Sequence, residues 1–232
     1  MEFIRNILES LYKSVIYDNR YKYILEGLFN TVIIAFFAVI IGIIIGTIIS
    51  VIRNNYEVNK KFKMLNDISC FYVNVIRGTP VILQLMIIYY VIFKNSTINI
   101  VLVGIIAFGI NSGAYVAEII RAGINSVPKG QMEAGLSLGL SYGKVMRLII
   151  LPQAIRNILP ALGNEFITLL KETSVGAYIG ITELTKASDI IASRTYDYFF
   201  PLIIIAIIYL VMTLGLSKLV SKMEKRINNV RS

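Results

Sequence analysis

The sequence has no histidine, no tryptophan and one cysteine, Cys70. A disulfide framework cannot form within the chain, and a metal centre built from cysteine and histidine is excluded with it. Cys70 lies in an apolar run and is expected to be a small core residue. Charge is scarce as well. Asp, Glu, Lys and Arg make up 16% of the 232 residues, against about 25% in soluble domains. No glycine-rich loop of the form G-x-x-x-x-G-K-[ST] is present, so the chain carries no phosphate cradle of that kind. No tandem repeat is visible, and the N-terminus lacks a signal-peptide pattern, because the first long apolar run begins only near Val32.

What is abundant is apolar surface: 56% of residues are hydrophobic and the mean hydropathy is +0.71. A soluble fold could not cover that much, so the chain reads as an all-α integral membrane protein of one domain. The net charge of +9 does not point to nucleic acid, because the charges flank apolar runs as the positive-inside rule describes.

Residues 1–27 mix charged and apolar positions. Phe3, Ile7, Leu11 and Ser14–Val15 recur at helical spacing, predicting an amphipathic helix at the membrane face. Five spanning helices are expected, over 28–53, 64–93, 100–121, 145–171 and 201–220, with 171–200 a partly helical outer segment. Arg53, Lys60, Lys61 and Lys63 make one basic loop. The stretch 126–143 with its flanks and the tail with Lys222, Lys225, Arg226 and Arg231 make two more on the same side. That side is therefore cytoplasmic, the C-terminus with it, and the N-terminus lies outside.

Polar residues inside spans fall in stripes. Asp67, Asn74, Arg77 and Gln84 follow intervals of 7, 3 and 7; Asn111, Tyr115 and Glu118 follow 4 and 3; Asn164, Thr168 and Lys171 do likewise, with Glu165 one step around. Such residues are costly in lipid and mark shared wet interiors, although hydrogen bonding that only joins helices would also produce them. Arg77, Gln84, Asn111, Tyr115, Asn164, Glu165 and Thr168 are the candidate substrate contacts, chosen by depth and polarity. Arg77 is expected to face a carboxylate or to pair with Glu165. Gly78 and Pro80 break the second span, and Pro152 and Pro160 bend the fourth.

Between two apolar blocks lies Ser126–Pro152. Pro128 suits a helix start, Met132, Leu136 and Leu140 share one helix face, Gly139 can take the left-handed turn and Ser141 can cap the next helix. The acid Glu133 beside the small Ala134 and Gly135 suits a docking knob, though a loop resting on headgroups would look similar.

The same stretch resembles the cytoplasmic signature of ATP-binding-cassette importer permeases, E-A-A, three residues, G, nine residues, I-x-L-P. Glu133, Ala134, Gly139, Ile149, Leu151 and Pro152 match, and Gly135 replaces the second alanine. The R-G-T-P-x-x-x-Q run from Arg77 to Gln84, the S-G-A-Y-x-A-E-I-x-R run from Ser112 to Arg121 and the run from Ser126 to Gln131 are similar to polar-amino-acid permeases. The resemblance covers about Leu25 to Met223. It implies the type I importer permease fold and a place in the bacterial cytoplasmic membrane as a multi-pass subunit. The implied partners are a second copy or a sister permease, a cytoplasmic ATPase dimer, an extracytoplasmic binding protein and membrane lipid. Glu133, Ala134, Gly135, Gly139 and Leu140 would dock the ATPase. ATP would bind that partner, so the chain needs no cofactor of its own and is not itself an enzyme. The implied cargo is a polar L-amino acid, a basic one such as arginine, lysine or histidine by virtue of Glu165, with glutamine or glutamate as the alternative. A self-sufficient channel or ion-coupled carrier would explain the polar stripes but not Ser126–Pro152, and a purely structural subunit would explain neither Arg77 nor Glu165.

Overall fold

The computed structural model describes residues 2–229, apart from the side chains of Phe3, Asn228 and Asn229. Phe3 of the expected N-terminal stripe and Arg231 of the basic tail thus lie outside what is described. The described residues form ten α-helices: α1 (Glu2–Val15), α2 (Tyr21–Asn59), α3 (Lys63–Gly78), α4 (Val81–Ile87), α5 (Ile100–Asn125), α6 (Lys129–Ser137), α7 (Tyr142–Val145), α8 (Leu151–Glu172), α9 (Leu184–Thr195) and α10 (Phe199–Asn229). Four helical stretches are long and apolar enough to cross a bilayer, and five if the bent pair α3–α4 is one broken span. The expected all-helical membrane class is the one observed, with four spans and the bent pair as the fifth candidate.

Several expected details are corrected. The N-terminal segment is not one helix. α1 ends at Val15, the chain turns through left-handed Asp18 and Asn19, and α2 starts at Tyr21. α2 then runs on to Asn59, so Arg53 sits on a helix and the basic loop shrinks to Lys60–Phe62 before Lys63 opens α3. The polar stripe from Asp67 to Gln84 does not continue, because α3 and the helix after Pro80 meet at 111°. α8 passes through Pro160 without ending. Before Pro152 the chain widens into a π-helical turn, Met146–Ile150. A wider turn accommodates a proline ring that would otherwise press on the carbonyl four residues back. Cys70 is only half-buried, with Sγ 3.9 Å from Asn66 Oδ1, and is not a core residue.

α2 and α5 form the central pair. Lipid is as apolar as leucine, so helices associate in a membrane through close packing and interhelical hydrogen bonds. The pair supplies both. A methyl at Gly42 would sit 2.6 Å from the Ser112 hydroxyl, and one at Gly46 would sit 2.6 Å from Val116. Across the seam, methyls at Gly109 and Gly113 would each lie 2.7 Å from Ile41 and Ile45. Further along, the Ser50 hydroxyl donates to the Ala117 carbonyl at 3.1 Å. Tyr72 on α3 donates its hydroxyl to the Ile110 carbonyl of α5.

The segment 171–200 is partly helical, as expected, and packs into the bundle. Glu183 is fully buried. Its carboxylate accepts from the Thr185 and Lys186 amides at 2.7 and 2.6 Å, capping α9, and from the Tyr209 hydroxyl at 3.1 Å. Asn30 of α2 donates to the Thr182 carbonyl at 2.8 Å, and Thr31 accepts from the Leu184 amide at 3.3 Å.

Overpacking the seam should be costly. Gly109→Ala is expected to destabilise by about 1–3 kcal/mol, and Ile41→Ala in the same chain to recover part of the loss, since the two sites touch. Thermal unfolding in detergent checks this; full additivity of the two changes would contradict the packing.

Candidate functional site

The site is assembled at the meeting of α3, α5 and α8. An open groove of about 510 Å³ is lined by Arg77 at the end of α3, by Tyr115, Glu118 and Arg121 of α5, and by Asn164, Glu165 and Thr168 of α8. Five of the seven candidate contacts, Arg77, Tyr115, Asn164, Glu165 and Thr168, therefore share one surface. The Arg77 guanidinium lies 5.7 Å from the centre of the Tyr115 ring, a cation–π arrangement. Glu165 is half-buried and accepts from the Ser112 hydroxyl at 2.8 Å.

The expected pairing of Arg77 with Glu165 is not formed. Arg77 faces Glu118 instead, at 3.6 Å. Glu118 is the hub of the groove. Its carboxylate also takes Arg53 of α2 at 2.6 Å and Arg121, one helical turn on, at 2.7 Å. Arg121 was legible as an i,i+3 partner; Arg53, 65 residues distant, was not.

Gln84 and Asn111 are not on the groove. Pro80 has no N–H to donate to the Ile76 carbonyl, four residues back. Gln84 supplies the missing donor: its Nε2 lies 2.7 Å from the Ile76 carbonyl, 3.1 Å from that of Thr79 and 2.8 Å from the Thr79 hydroxyl. Its Oε1 accepts from Asn111 Nδ2 at 2.9 Å. Backbone groups freed in a membrane must be satisfied internally, and these two amides do that. The backbone groups freed at the break are thus filled by the protein itself.

The stretch Ser126–Pro152, expected to dock a partner, folds as α6, a tight reversal and α7 before the π-helical turn. Gly139 takes φ +80°, as expected of the turn residue. Glu133 and Ala134 are exposed on α6, but Gly135 is buried, and a methyl there would meet Val145 at 2.8 Å. Its smallness thus serves the packing of α6 on its own chain. Leu140 is half-buried against the cluster of Val127, Val145, Ile150, Ala154 and Ile158. The left-handed turn at Gly139 sends Leu140 inward and leaves Leu138 81% exposed. Leu138 is the apolar tip of this loop, which sequence spacing missed because it falls off the Met132–Leu136–Leu140 face. Ser141 precedes α7 in extended conformation, but its side chain makes no capping bond.

A broken span and a polar groove between apolar helices are features of a membrane protein that handles a polar ligand. The chain belongs to the family of binding-protein-dependent transport system inner membrane components, whose match covers residues 38–229. It is 40% identical to the arginine transport system permease of Bacillus subtilis, over 89% of this chain and 93% of that one. It is 39% identical to a Rickettsia prowazekii protein named for a glutamine transport system permease, over 90% and 95%. A crystal structure of an amino acid ABC transporter with histidines superposes with a TM-score of 0.83, at 46% identity over 89% of this chain and 94% of that one. An inward-facing methionine ABC transporter shares the fold at 20% identity and a TM-score of 0.70. The resemblance to amino-acid importer permeases read from the motifs is borne out. Membership also implies a separate ATPase and a binding protein, and a seat in the inner membrane; the family is not a catalytic one.

Gln84→Leu should leave the freed carbonyls unpaired and cost about 1–3 kcal/mol. Faster amide exchange around Ile76–Thr79 and a lower melting temperature are expected; an unchanged melt would show that the break needs no such clamp.

Proposed function

We propose that this chain is the permease of an importer of polar L-amino acids, with a basic one preferred, and that the groove is its site within the membrane. The observation that carries this reading is one groove holding an arginine and a carboxylate, Arg77 and Glu165, at separate places. An amino acid offers a carboxylate to the first. A basic side chain offers its cation to the second, and Tyr115, Asn164 and Thr168 supply the remaining polar wall. The names of the arginine-transport relative and of the solved structure with histidines support the basic preference. Glutamine is the second reading, favoured by the Rickettsia relative and by the neutral Asn164 and Thr168.

In this reading the groove, open on one chain, is closed by a second permease, an identical copy or a sister. The C-terminus and residues 126–143 face the cytoplasm, and the N-terminus lies outside. Exposed Glu133 and Ala134 with the protruding Leu138 form the docking knob for the partner ATPase, while Gly135, Gly139 and Leu140 hold its shape. ATP closes the ATPase dimer, the knobs move, and the bundle switches between inward and outward openings.

Two substitutions test the reading in reconstituted permease–ATPase–binding-protein complexes. Glu165→Gln removes a charge-assisted contact, so arginine uptake should fall by about 10- to 100-fold and glutamine uptake much less. Arginine uptake equal to wild type would refute the role of Glu165. Glu133→Lys should leave ATP hydrolysis running while uptake falls; coupled uptake in that variant would remove the docking role.

A further inference from the structure

We infer that Glu118 is an internal counter-ion that competes with the substrate carboxylate for Arg77 and passes the outcome to the docking loop. The inference rests on the reading of the groove as an amino-acid site.

One carboxylate faces three guanidiniums from three helices, and it does not hold them equally. Arg53 Nη1 donates to Oε1 at 2.6 Å, and Arg121 Nη2 donates to Oε2 at 2.7 Å, with its Nε bridging both oxygens at 3.1 and 3.2 Å. Arg77 is left at 3.6 Å, within reach of the charge but without a hydrogen bond. A carboxylate accepts at about four lone-pair positions, and those best placed are already taken. Glu57 lines the cleft beside Arg53 and Arg121, so the three guanidiniums face two acids and the cluster holds one positive charge more than they neutralise. Arg77 and Arg121 are about equally exposed, at 45% and 43% of their side chains, and both line the groove, but only Arg77 has no hydrogen bond to the carboxylate, so the surplus falls on it. An anionic group entering the groove meets the one guanidinium that is free to leave.

The other side of the cluster leads to the docking loop. Asn54, next to Arg53 on α2, accepts from the Tyr142 hydroxyl at 3.1 Å. Tyr142 is the first residue of α7, directly after the reversal at Gly139. One turn of α2 thus bears both the arginine that grips Glu118 and the acceptor that holds the loop. A displacement of α7 shifts Arg53, alters how Glu118 shares its oxygens, and changes the hold on Arg77. Coupling of this kind is reciprocal: loop position biases carboxylate affinity, and a bound carboxylate biases the loop.

The test uses the permease purified with its ATPase, with L-arginine and L-glutamine as probes, since both present the same α-carboxylate. Equilibrium binding and amino-acid stimulation of ATP hydrolysis are measured together. Glu118→Gln is expected to bind both amino acids about 10-fold tighter while losing stimulation, because Arg77 is released and the link to the loop is cut. Tyr142→Phe should keep wild-type affinity and lose stimulation. A merely structural role would weaken binding in Glu118→Gln, so unchanged or weaker binding overturns the inference. Should Glu118→Gln fail to assemble, Glu118→Asp decides: its shorter carboxylate withdraws from Arg77, tighter binding is expected again, and unchanged or weaker binding overturns. Arg77→Gln separates the two levels. If it binds both amino acids as wild type does, the groove reading fails and takes the inference with it. If it loses binding while Glu118→Gln does not gain it, only the counter-ion role fails.

Discussion

The contact on which the rest depends is the close approach of α2 and α5. In lipid, burying one more leucine against a neighbour gains little over leaving it among acyl chains, so backbone proximity and interhelical hydrogen bonds must hold the pair. Gly42 and Gly46 receive Ser112 and Val116, and Gly109 and Gly113 receive Ile41 and Ile45. The seam then continues in polar form, through the Ser50 hydroxyl on the Ala117 carbonyl to Arg53 on Glu118. The same register that packs the glycines brings these charges face to face. The ion cluster is the end of the seam rather than a separate feature. A shift of α2 along α5 would disturb both.

A second constraint is that no backbone polar group can be left unpaired at depth. It explains why so many polar side chains inside the bundle serve the protein itself. Pro80 removes one donor, and Gln84 replaces it with an amide held in turn by Asn111. Glu183, buried between α2, α9 and α10, caps the start of α9 and binds Tyr209. The polar groups left over are the smaller set on the groove, where Arg77 and Glu165 have polar atoms near open space. The loop of α6 and α7 follows a similar division. Gly135 and Leu140 pack inward, and Glu133, Ala134 and Leu138 face out.

Much of this was legible in the sequence. Apolar run length and the placement of Lys and Arg gave an all-helical membrane protein with five spans, because the bilayer fixes how long an uncharged helix must be. Gly139 was legible as the reversal, since a positive φ is easiest for a residue without Cβ. The R-G-T-P-x-x-x-Q spacing also held more than was taken from it: a proline lacking its donor, followed at four residues by an amide, describes the clamp at Ile76. Periodicity, by contrast, misled wherever the helix did not continue. It joined Asp67 to Gln84 across a 111° bend and carried the Met132–Leu136–Leu140 face past the end of α6 at Ser137.

The sequence by itself thus determined that the chain is helical, that it breaks at Gly78–Pro80 and reverses at Gly139, and which residues carry charge, because those follow from local backbone sterics and from exclusion of charge from lipid. Only the tertiary structure decided the partners. That Arg77 faces Glu118 and not Glu165, that Arg53 joins it across 65 residues, and that Asn54 meets Tyr142 across 88 depend on the relative height of α2, α3, α5 and α7. That height is set by how glycines and side chains interlock between helices, a geometry that no spacing along one helix contains.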